Sequence, residues 1–219
     1  LAVLIYDEPT ERLLERCKNR YDLLKKAIPE TRVYGVVMNR KSWAESMADQ
    51  CDIFVSDGDF MGCLEAAQQA GKDYWVYSFP LRAVHTARYD MGALPWRVEA
   101  QATFFWMYNY WSYDPDGCAV YRDDADPQKL VRSTPWEGVR EAVDDLRYFA
   151  TAEQAVSRAN GDRKAVAVER LMALRESVEP DRRRRAALGE DHDEVSVLDE
   201  YGEPQRIRDE LISIILSLK

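Results

Sequence analysis

Short apolar runs alternate with segments of helical periodicity through the first half of the chain, and this alternation constrains the fold most. The five strand-like runs are residues 1–6, 32–38, 51–56, 73–79 and 102–111. The predicted helices between them lie near residues 10–28, 41–49, 61–70 and 93–102. Strands that alternate with helices indicate βαβ units and a parallel sheet. The sequence therefore predicts an α/β fold whose parallel strands follow one another in chain order.

Polar and aromatic residues follow the ends of these predicted strands. Parallel strands with right-handed crossovers have their C-terminal ends on one rim, where α/β folds place their sites. Carboxylates there can perform acid–base chemistry, and aromatic rings stack on the apolar faces of sugars. The predicted catalytic residues are Asp7 and Glu8. The predicted substrate-binding residues are Asp57, Tyr77, Tyr108, Asn109 and Trp111.

Each of these groups also has a purely structural interpretation. Acidic residues before a proline, such as Asp7 and Glu8, favour the N-terminus of a helix. The Asp57-Gly58 pair is ordinary turn chemistry. About half of the rings in residues 102–111 are expected to pack in a core whatever the function is.

The second half of the chain is predicted to be mainly helical. A polar loop at residues 112–134 precedes helices near 136–158, 163–177 and 204–218, and the predicted domains are 1–158 and a helical extension, 159–219. In the first of these helices, an apolar stripe is predicted to pack on the outer layer of the sheet; it consists of Trp136, Val139, Val143 and Leu146. Glu137, Arg140 and Asp144 are predicted to form ion pairs rather than a catalytic set.

Composition and motifs argue against several classes of function. The net charge of −9 argues against a general nucleic-acid or anionic-membrane surface, and no apolar run approaches the length of a bilayer span. The four cysteines are scattered and only two histidines are present, so a zinc site is not expected; Cys17 and Cys51 are predicted to be buried free thiols. The turn after the first strand has no glycine, and neither a P-loop nor a GxSxG turn occurs, so no cofactor is expected.

Four motifs occur in an order that resembles a known family. They are LIYDEP at residues 4–9, ALPWRVEAQATFFWMYNYW at 93–111, WSYDPDG at 111–117 and STPWEGVREAVDDLRYF at 133–149. Together they resemble the C-terminal half of the glycoside hydrolase family 123-like catalytic domain, over about residues 1–158. The chain departs from the family at Pro135, where arginine is usual, and at Leu146, where an aromatic residue is usual.

The resemblance implies the C-terminal strands and helices of a (β/α)8 TIM-type barrel, completed by an upstream barrel segment of the same protein. It also implies a β-N-acetylhexosaminidase that hydrolyses β-linked N-acetylhexosamine glycans by substrate-assisted retention. Glu8 would be the general acid/base, and Asp7 would hold the acetamido N–H of the substrate. The expected partner is carbohydrate, with no nucleic acid or membrane, and the implied location is extracellular or periplasmic.

Two alternatives stay open at the level of the sequence. The first is a catalytically silent domain that binds carbohydrate or acts as a scaffold while keeping the rim of the barrel. The second is a self-contained doubly wound α/β domain with only a local likeness to the hydrolases.

Overall fold

The computed structural model of the chain describes residues 2–36, 40–78, 84–105, 119–123, 125–126, 128–180 and 197–219. The described residues form two compact units. The first unit consists mainly of residues 2–77 and 98–104, and the second consists of residues 78–97, 105–179 and 197–219. The predicted domain boundary between residues 158 and 159 stays a prediction.

A five-stranded parallel sheet, curled into a half-barrel, contains strands whose order along the sheet is their order along the chain. These strands are β1 (Ala2–Tyr6), β2 (Arg32–Val36), β3 (Ile53–Ser56), β4 (Asp73–Ser78) and β5 (Ala102–Phe105). The prediction of an α/β fold with parallel strands in chain order is confirmed. An eight-stranded barrel as the complete fold stays a prediction.

Helices α1 (Leu14–Ala27), α2 (Lys41–Ser46) and α3 (Phe60–Ala70) connect the first four strands. The face of the sheet that packs under α3 is buried in its centre: Phe54, Tyr74 and Val76 are at most 1% exposed. These residues alternate along their strands with residues of the opposite face, as the pleat requires. Helix α3 ends at Gly71, whose φ of 64° is the left-handed conformation that glycine adopts without strain.

Strand β1 contains an irregularity that decides which way its last side chain points. The register with β2 shifts between Leu4 and Tyr6, so that Tyr6 pairs with Gly35. A Cβ atom at Gly35 would overlap the ring of Tyr6, so the missing side chain makes room for this ring. Tyr6 is therefore buried in the core of the first unit at 6% exposure, and the chain leaves β1 with Asp7 and Glu8 at the rim.

The second unit contains the long helices. Helices α4 (Val84–Arg88) and α5 (Leu94–Arg97) flank a π-helical turn at Tyr89–Ala93, and α6 (Thr134–Arg158), α7 (Gly161–Glu176) and α8 (Val197–Ser217) follow. The side chain of Ser133 accepts a hydrogen bond from the backbone N–H of Trp136 and so caps α6. Among the described helices, none combines the length and apolar composition that crossing a bilayer requires.

Part of the predicted polar loop at residues 112–134 is a small antiparallel sheet. Strands β6 (Val120–Arg122) and β7 (Leu130–Arg132) pair with each other, so the prediction of a loop is wrong at these positions. Three-residue strands are too short to produce an alternating apolar pattern. The described part of their connection is tied locally by Lys129, whose Nζ lies 2.9 Å from the carboxylate of Asp123.

The predicted apolar stripe of α6 is also wrong, because the buried face is rotated around the helix. Val143 is 45% exposed, whereas Gly138, Ala142, Asp145 and Phe149 are buried. The buried stripe contains small residues and one carboxylate. A search for apolar residues at helical spacing therefore does not identify it.

The predicted ion-pair set on the exposed side of α6 is confirmed. Arg140 lies 2.8 Å from Glu137 and 3.9 Å from Asp144.

Candidate functional site at the rim of the half-barrel

Four of the predicted site residues lie at the C-terminal rim of the first unit. Asp7 and Glu8 directly follow β1, Asp57 directly follows β3, and Tyr77 is near the end of β4. Because β1 to β4 pair in parallel, these strand ends meet at the same edge of the sheet. The structure therefore brings together two catalytic and two substrate-binding candidates from three separate strands.

The electrostatics show that these side chains act on one another. Partial desolvation raises the pKa of Glu8, and the negative charges of Asp57 and then Asp7 raise it further. Burial raises the pKa of Tyr77 to about 12, and the charges of Asp7, Glu8 and Asp57 contribute to the same shift. Partial burial and the two neighbouring carboxylates therefore act in the same direction, because each disfavours the ionised form of Glu8.

The backbone at Glu8 adopts an uncommon conformation. Its φ is 40°, in the left-handed region that costs a non-glycine residue about 1–2 kcal/mol. The acidic pair also does not start α1, because a 3₁₀ turn begins only at Glu11 and the cap of α1 is Leu13. The interpretation of Asp7 and Glu8 as helix-start residues therefore does not account for their position.

The loop that carries Asp57 is fixed by hydrogen bonds on both sides. Before Asp57, the hydroxyl of Ser56 lies 2.5 Å from that of Tyr74, which donates to the first carbonyl oxygen of α3 at 3.1 Å. After Asp57, the carboxylate of Asp59 accepts a hydrogen bond of 2.7 Å from the backbone N–H of Lys41. These contacts hold the turn between β3 and α3 in place, so the position of Asp57 is set by packed structure.

An aromatic surface, which we call the aromatic face, lies on the side of the sheet opposite α3. The Tyr77 and Phe104 ring centroids are 5.2 Å apart, and those of Tyr34 and Trp75 are 5.5 Å apart. Tyr77 is buried in this cluster, while Tyr34, Trp75 and Phe104 are only partly buried. The sequence analysis missed Tyr34, Trp75 and Phe104. These aromatic residues occupy alternate positions of their strands, but the pattern assigns them to one face of the sheet only when the strand register is known.

Three predicted substrate-binding residues, Tyr108, Asn109 and Trp111, lie outside the described residues. Within the described ranges, no group of three His, Cys, Asp or Glu side chains is arranged to hold a metal ion. Cys17 and Cys51 are buried free thiols, as predicted.

Comparisons with known proteins do not assign the chain. Neither the family models nor the curated protein sequences that were searched give a match.

The raised pKa of Glu8 predicts how the stability of the fold depends on pH. When the pKa of a carboxyl group is higher in the folded than in the unfolded protein, the protonated group stabilises the fold at pH values below the ordinary, unfolded-state pKa. This contribution is lost as the pH rises through the raised pKa of the folded state. Glutamine does not ionise, so Glu8→Gln is expected to have a higher Tm than the wild type at neutral pH and a similar Tm near pH 4. Thermal unfolding followed by circular dichroism over this pH range measures the difference.

The matched control uses Asp57, which makes the largest charge contribution to the shift at Glu8. In an Asp57→Asn background, the Tm difference between glutamate and glutamine at position 8 should become smaller. A Glu8→Gln variant whose Tm at neutral pH equals or falls below that of the wild type would show that the rim does not disfavour the ionised glutamate.

Proposed function

We propose that the chain forms the C-terminal strands and rim of a (β/α)8 glycoside hydrolase that cleaves β-linked N-acetylhexosamine. The observation that carries the proposal is the position of Glu8 at the rim beside Asp57 and Asp7, where partial burial first and then these two carboxylates raise its pKa. A general acid must hold its proton at the working pH, and carboxyl groups in glycosidases are kept protonated in this way.

In the proposed reaction, the substrate supplies its own nucleophile. Glu8 donates its proton to the glycosidic oxygen, the bond from this oxygen to the anomeric carbon breaks, and the leaving sugar departs as an alcohol. The acetamido carbonyl oxygen forms the new bond to the anomeric carbon, giving an oxazolinium ion. Asp7 accepts a hydrogen bond from the acetamido N–H and stabilises the positive charge. Glu8, now ionised, removes a proton from the water that opens this intermediate with net retention.

The remaining rim residues would bind and orient the sugar. The carboxylate of Asp57 can accept hydrogen bonds from sugar hydroxyls, and the phenol of Tyr77, whose pKa is raised to about 12, stays a hydrogen-bond donor at neutral pH. The aromatic face supplies rings for contact with apolar C–H groups. Tyr108, Asn109 and Trp111 are proposed to complete the same subsite.

A closed barrel requires further strands at the edges of the half-barrel. Strand β1 occupies one edge of the five-stranded sheet, and Leu4 in this strand is 44% exposed. Edge strands with exposed apolar residues are normally covered or paired. We assign this role to upstream βα units of the same polypeptide, so enzyme assays require the complete protein.

A pair of chromogenic substrates tests the proposal. The complete protein is expected to release nitrophenol from 4-nitrophenyl N-acetyl-β-galactosaminide and not from the matched galactoside, in which a hydroxyl replaces the acetamido group. The galactoside lacks the internal nucleophile, so its kcat/KM should be much lower than that of the N-acetyl substrate. Equal cleavage of both substrates would contradict substrate assistance. Cleavage of neither, with retained binding of the glycan, would favour the catalytically silent alternative.

A further inference from the structure

Asp59 occupies the N-cap position of α3 but does not cap that helix. An aspartate at this position ordinarily has an extended backbone and accepts a hydrogen bond from an N–H in the first turn of its own helix. The backbone of Asp59 is instead left-handed, with a φ of 44°, and its side chain makes no capping hydrogen bond to α3. This conformation is unfavourable for a residue other than glycine, so capping of α3 does not explain why the residue is held in it.

The carboxylate of Asp59 binds the neighbouring helix instead. It accepts a hydrogen bond of 2.7 Å from the backbone N–H of Lys41, the first residue of α2. The first N–H groups of a helix have no acceptor within that helix, so an acceptor from another segment satisfies one of them. Because α2 follows β2 and α3 follows β3, this contact joins the connections that leave two adjacent strands at the rim.

Gly62, in the first turn of α3, leaves space for this carboxylate. A Cβ atom at Gly62 would lie 2.6 and 2.7 Å from the two carboxylate oxygens of Asp59, which is closer than a non-bonded contact allows. Glycine is less favourable than alanine inside a helix. Its place here therefore matters for the neighbouring contact, since a side chain at position 62 would push the carboxylate away from Lys41.

Asp57 lies in a short turn that is held at both ends. Before it, Ser56 is fixed by the hydrogen bond with Tyr74, and after it a single residue, Gly58, separates it from Asp59. A displacement of Asp59 is therefore passed on to Asp57 through Gly58 alone. After partial burial, the charge of Asp57 makes the largest contribution to the raised pKa of Glu8.

We propose that Asp59 is a positioning residue of the candidate site, which holds the carboxylate of Asp57 beside Glu8 by binding the backbone N–H of Lys41. The charges that act on Glu8 are those of Asp57 and Asp7, so Asp59 works through the turn and not by its own charge. The inference deepens the proposed function and rests on it, because the same carboxylates form the site. Its first test nevertheless measures a titration and not a reaction.

Two substitutions at position 59 separate the hydrogen bond from the backbone conformation. Glycine and asparagine both tolerate a left-handed backbone, but only asparagine keeps an oxygen that can accept from the N–H of Lys41. Asp59→Gly is expected to lower the pKa of Glu8 towards its ordinary value, whereas Asp59→Asn should leave this pKa at the wild-type value. NMR titration of the chain, labelled with ¹³C at the glutamate side-chain carboxyl carbon, measures the pKa. The signal of Glu8 is the one that is missing from Glu8→Gln.

Gly62→Ala tests the same contact from the side of α3. The added methyl group should displace the carboxylate of Asp59 and lower the pKa of Glu8. Alanine has the higher helix propensity, so a weakened α3 cannot be the cause of this change. In an Asp59→Gly background the methyl group has no carboxylate to displace, and Gly62→Ala should then have no further effect on the pKa of Glu8.

The matched control is Glu65→Gln, which also removes one negative charge from the contacts between α2 and α3. It breaks the contact of 2.9 Å between Lys41 Nζ and Glu65 but leaves the backbone N–H of Lys41 bound to Asp59. The pKa of Glu8 should therefore equal that of the wild type.

An unchanged pKa of Glu8 in Asp59→Gly would overturn the proposal. Equal falls in Asp59→Gly and Asp59→Asn would also overturn it, because the lost charge alone would then account for the effect. Failure of the proposed function gives a different result, in which the pKa of Glu8 follows these substitutions while the complete protein cleaves no N-acetyl-β-hexosaminide. In a complete protein that does cleave it, Asp59→Gly should move the alkaline limb of the kcat/KM profile to lower pH, since the general acid then loses its proton earlier, and Asp59→Asn should not.

Discussion

Replacing Glu8 with glutamine is expected to lower the kcat of the complete protein on an N-acetyl-β-hexosaminide by about 10²–10⁴-fold. Glutamine has nearly the same shape as glutamate but has no transferable proton, so it cannot assist departure of the leaving group. KM should change little, because the lost interaction is made in the transition state. Steady-state kinetics on a substrate with a poor leaving group give the clearest measurement, since such substrates depend most on the general acid.

The loss of activity should occur without a loss of folding. Because partial burial and the rim carboxylates disfavour an ionised Glu8, the Glu8→Gln protein should be at least as stable as the wild type at neutral pH. The control is Glu30→Gln, which removes the same charge from an exposed position after α1 and should leave kcat unchanged. Full activity in Glu8→Gln would show that Glu8 has no catalytic role and is only part of the turn after β1.

Asp7 distinguishes the substrate-assisted mechanism from one in which Glu8 works alone. Asp7→Asn keeps a hydrogen-bonding group of the same size but removes the negative charge that stabilises the oxazolinium ion. The proposed mechanism therefore expects kcat to fall in this variant as well. Loss of activity in Glu8→Gln together with full activity in Asp7→Asn would remove Asp7 from the mechanism.

The sheet could be predicted from the sequence because each of its strands has a strong local signal. Parallel strands buried on both faces have continuous apolar runs, and the helices between them have a different period. The grouping of Asp7, Glu8, Asp57 and Tyr77 also followed, since parallel strand ends must share an edge. No knowledge of side-chain contacts was needed for either inference.

The relative influence of the rim carboxylates could not be predicted in the same way. The sequence drew attention to Asp7 because it is adjacent to Glu8. In the structure, Asp57 raises the pKa of Glu8 more than Asp7 does. This order depends on how the curl of the sheet brings the ends of β1 and β3 together, and this curl has no local sequence signal.

The second half of the chain shows where apolar patterns are misleading. Val143 belongs to the predicted stripe of α6 but is exposed, while Asp145, a charged residue outside that stripe, is only 4% exposed. A buried carboxylate is stable when its partners come from elsewhere in the chain. Its partners here are Arg88 and Arg208, and a search along α6 alone cannot find them.

Replacing Asp145 with alanine is expected to lower the free energy of unfolding by about 3–5 kcal/mol. The carboxylate accepts hydrogen bonds from Arg88 at 2.9 and 3.0 Å and from Arg208 at 2.5 Å, so it joins α4, α6 and α8. Both arginine side chains are largely buried, at 11% and 16% exposure. Without Asp145, two positive charges face each other across the space that the carboxylate occupied, and Arg88 loses its ion-pair partner among the described residues.

Urea unfolding measures this loss, with Glu137→Ala on the same helix as the control. Glu137 pairs with Arg140 at the surface, where both side chains are about half exposed, so its removal should cost less than about 1 kcal/mol. The expected result is a large fall in the urea midpoint for Asp145→Ala and a small one for Glu137→Ala, with similar m-values. Equal falls would show that the buried contacts of Asp145 with Arg88 and Arg208 stabilise the fold no more than a surface ion pair does.

We call Arg88, Asp145 and Arg208 the buried triad. A third variant separates the stability lost when the triad is broken from the stability that the intact triad contributes. Replacing Arg88, Asp145 and Arg208 together with apolar residues of similar size leaves no unpaired charge, and such exchanges are often neutral or stabilising by about 1–4 kcal/mol. The triple variant should therefore be more stable than Asp145→Ala, although it contains more substitutions. A triple variant as unstable as the single one would mean that the arginines act by additional contacts, such as the hydrogen bonds of Arg208 to Glu141. Stability that recovers would instead show that the large single-site loss comes from desolvated, uncompensated arginines.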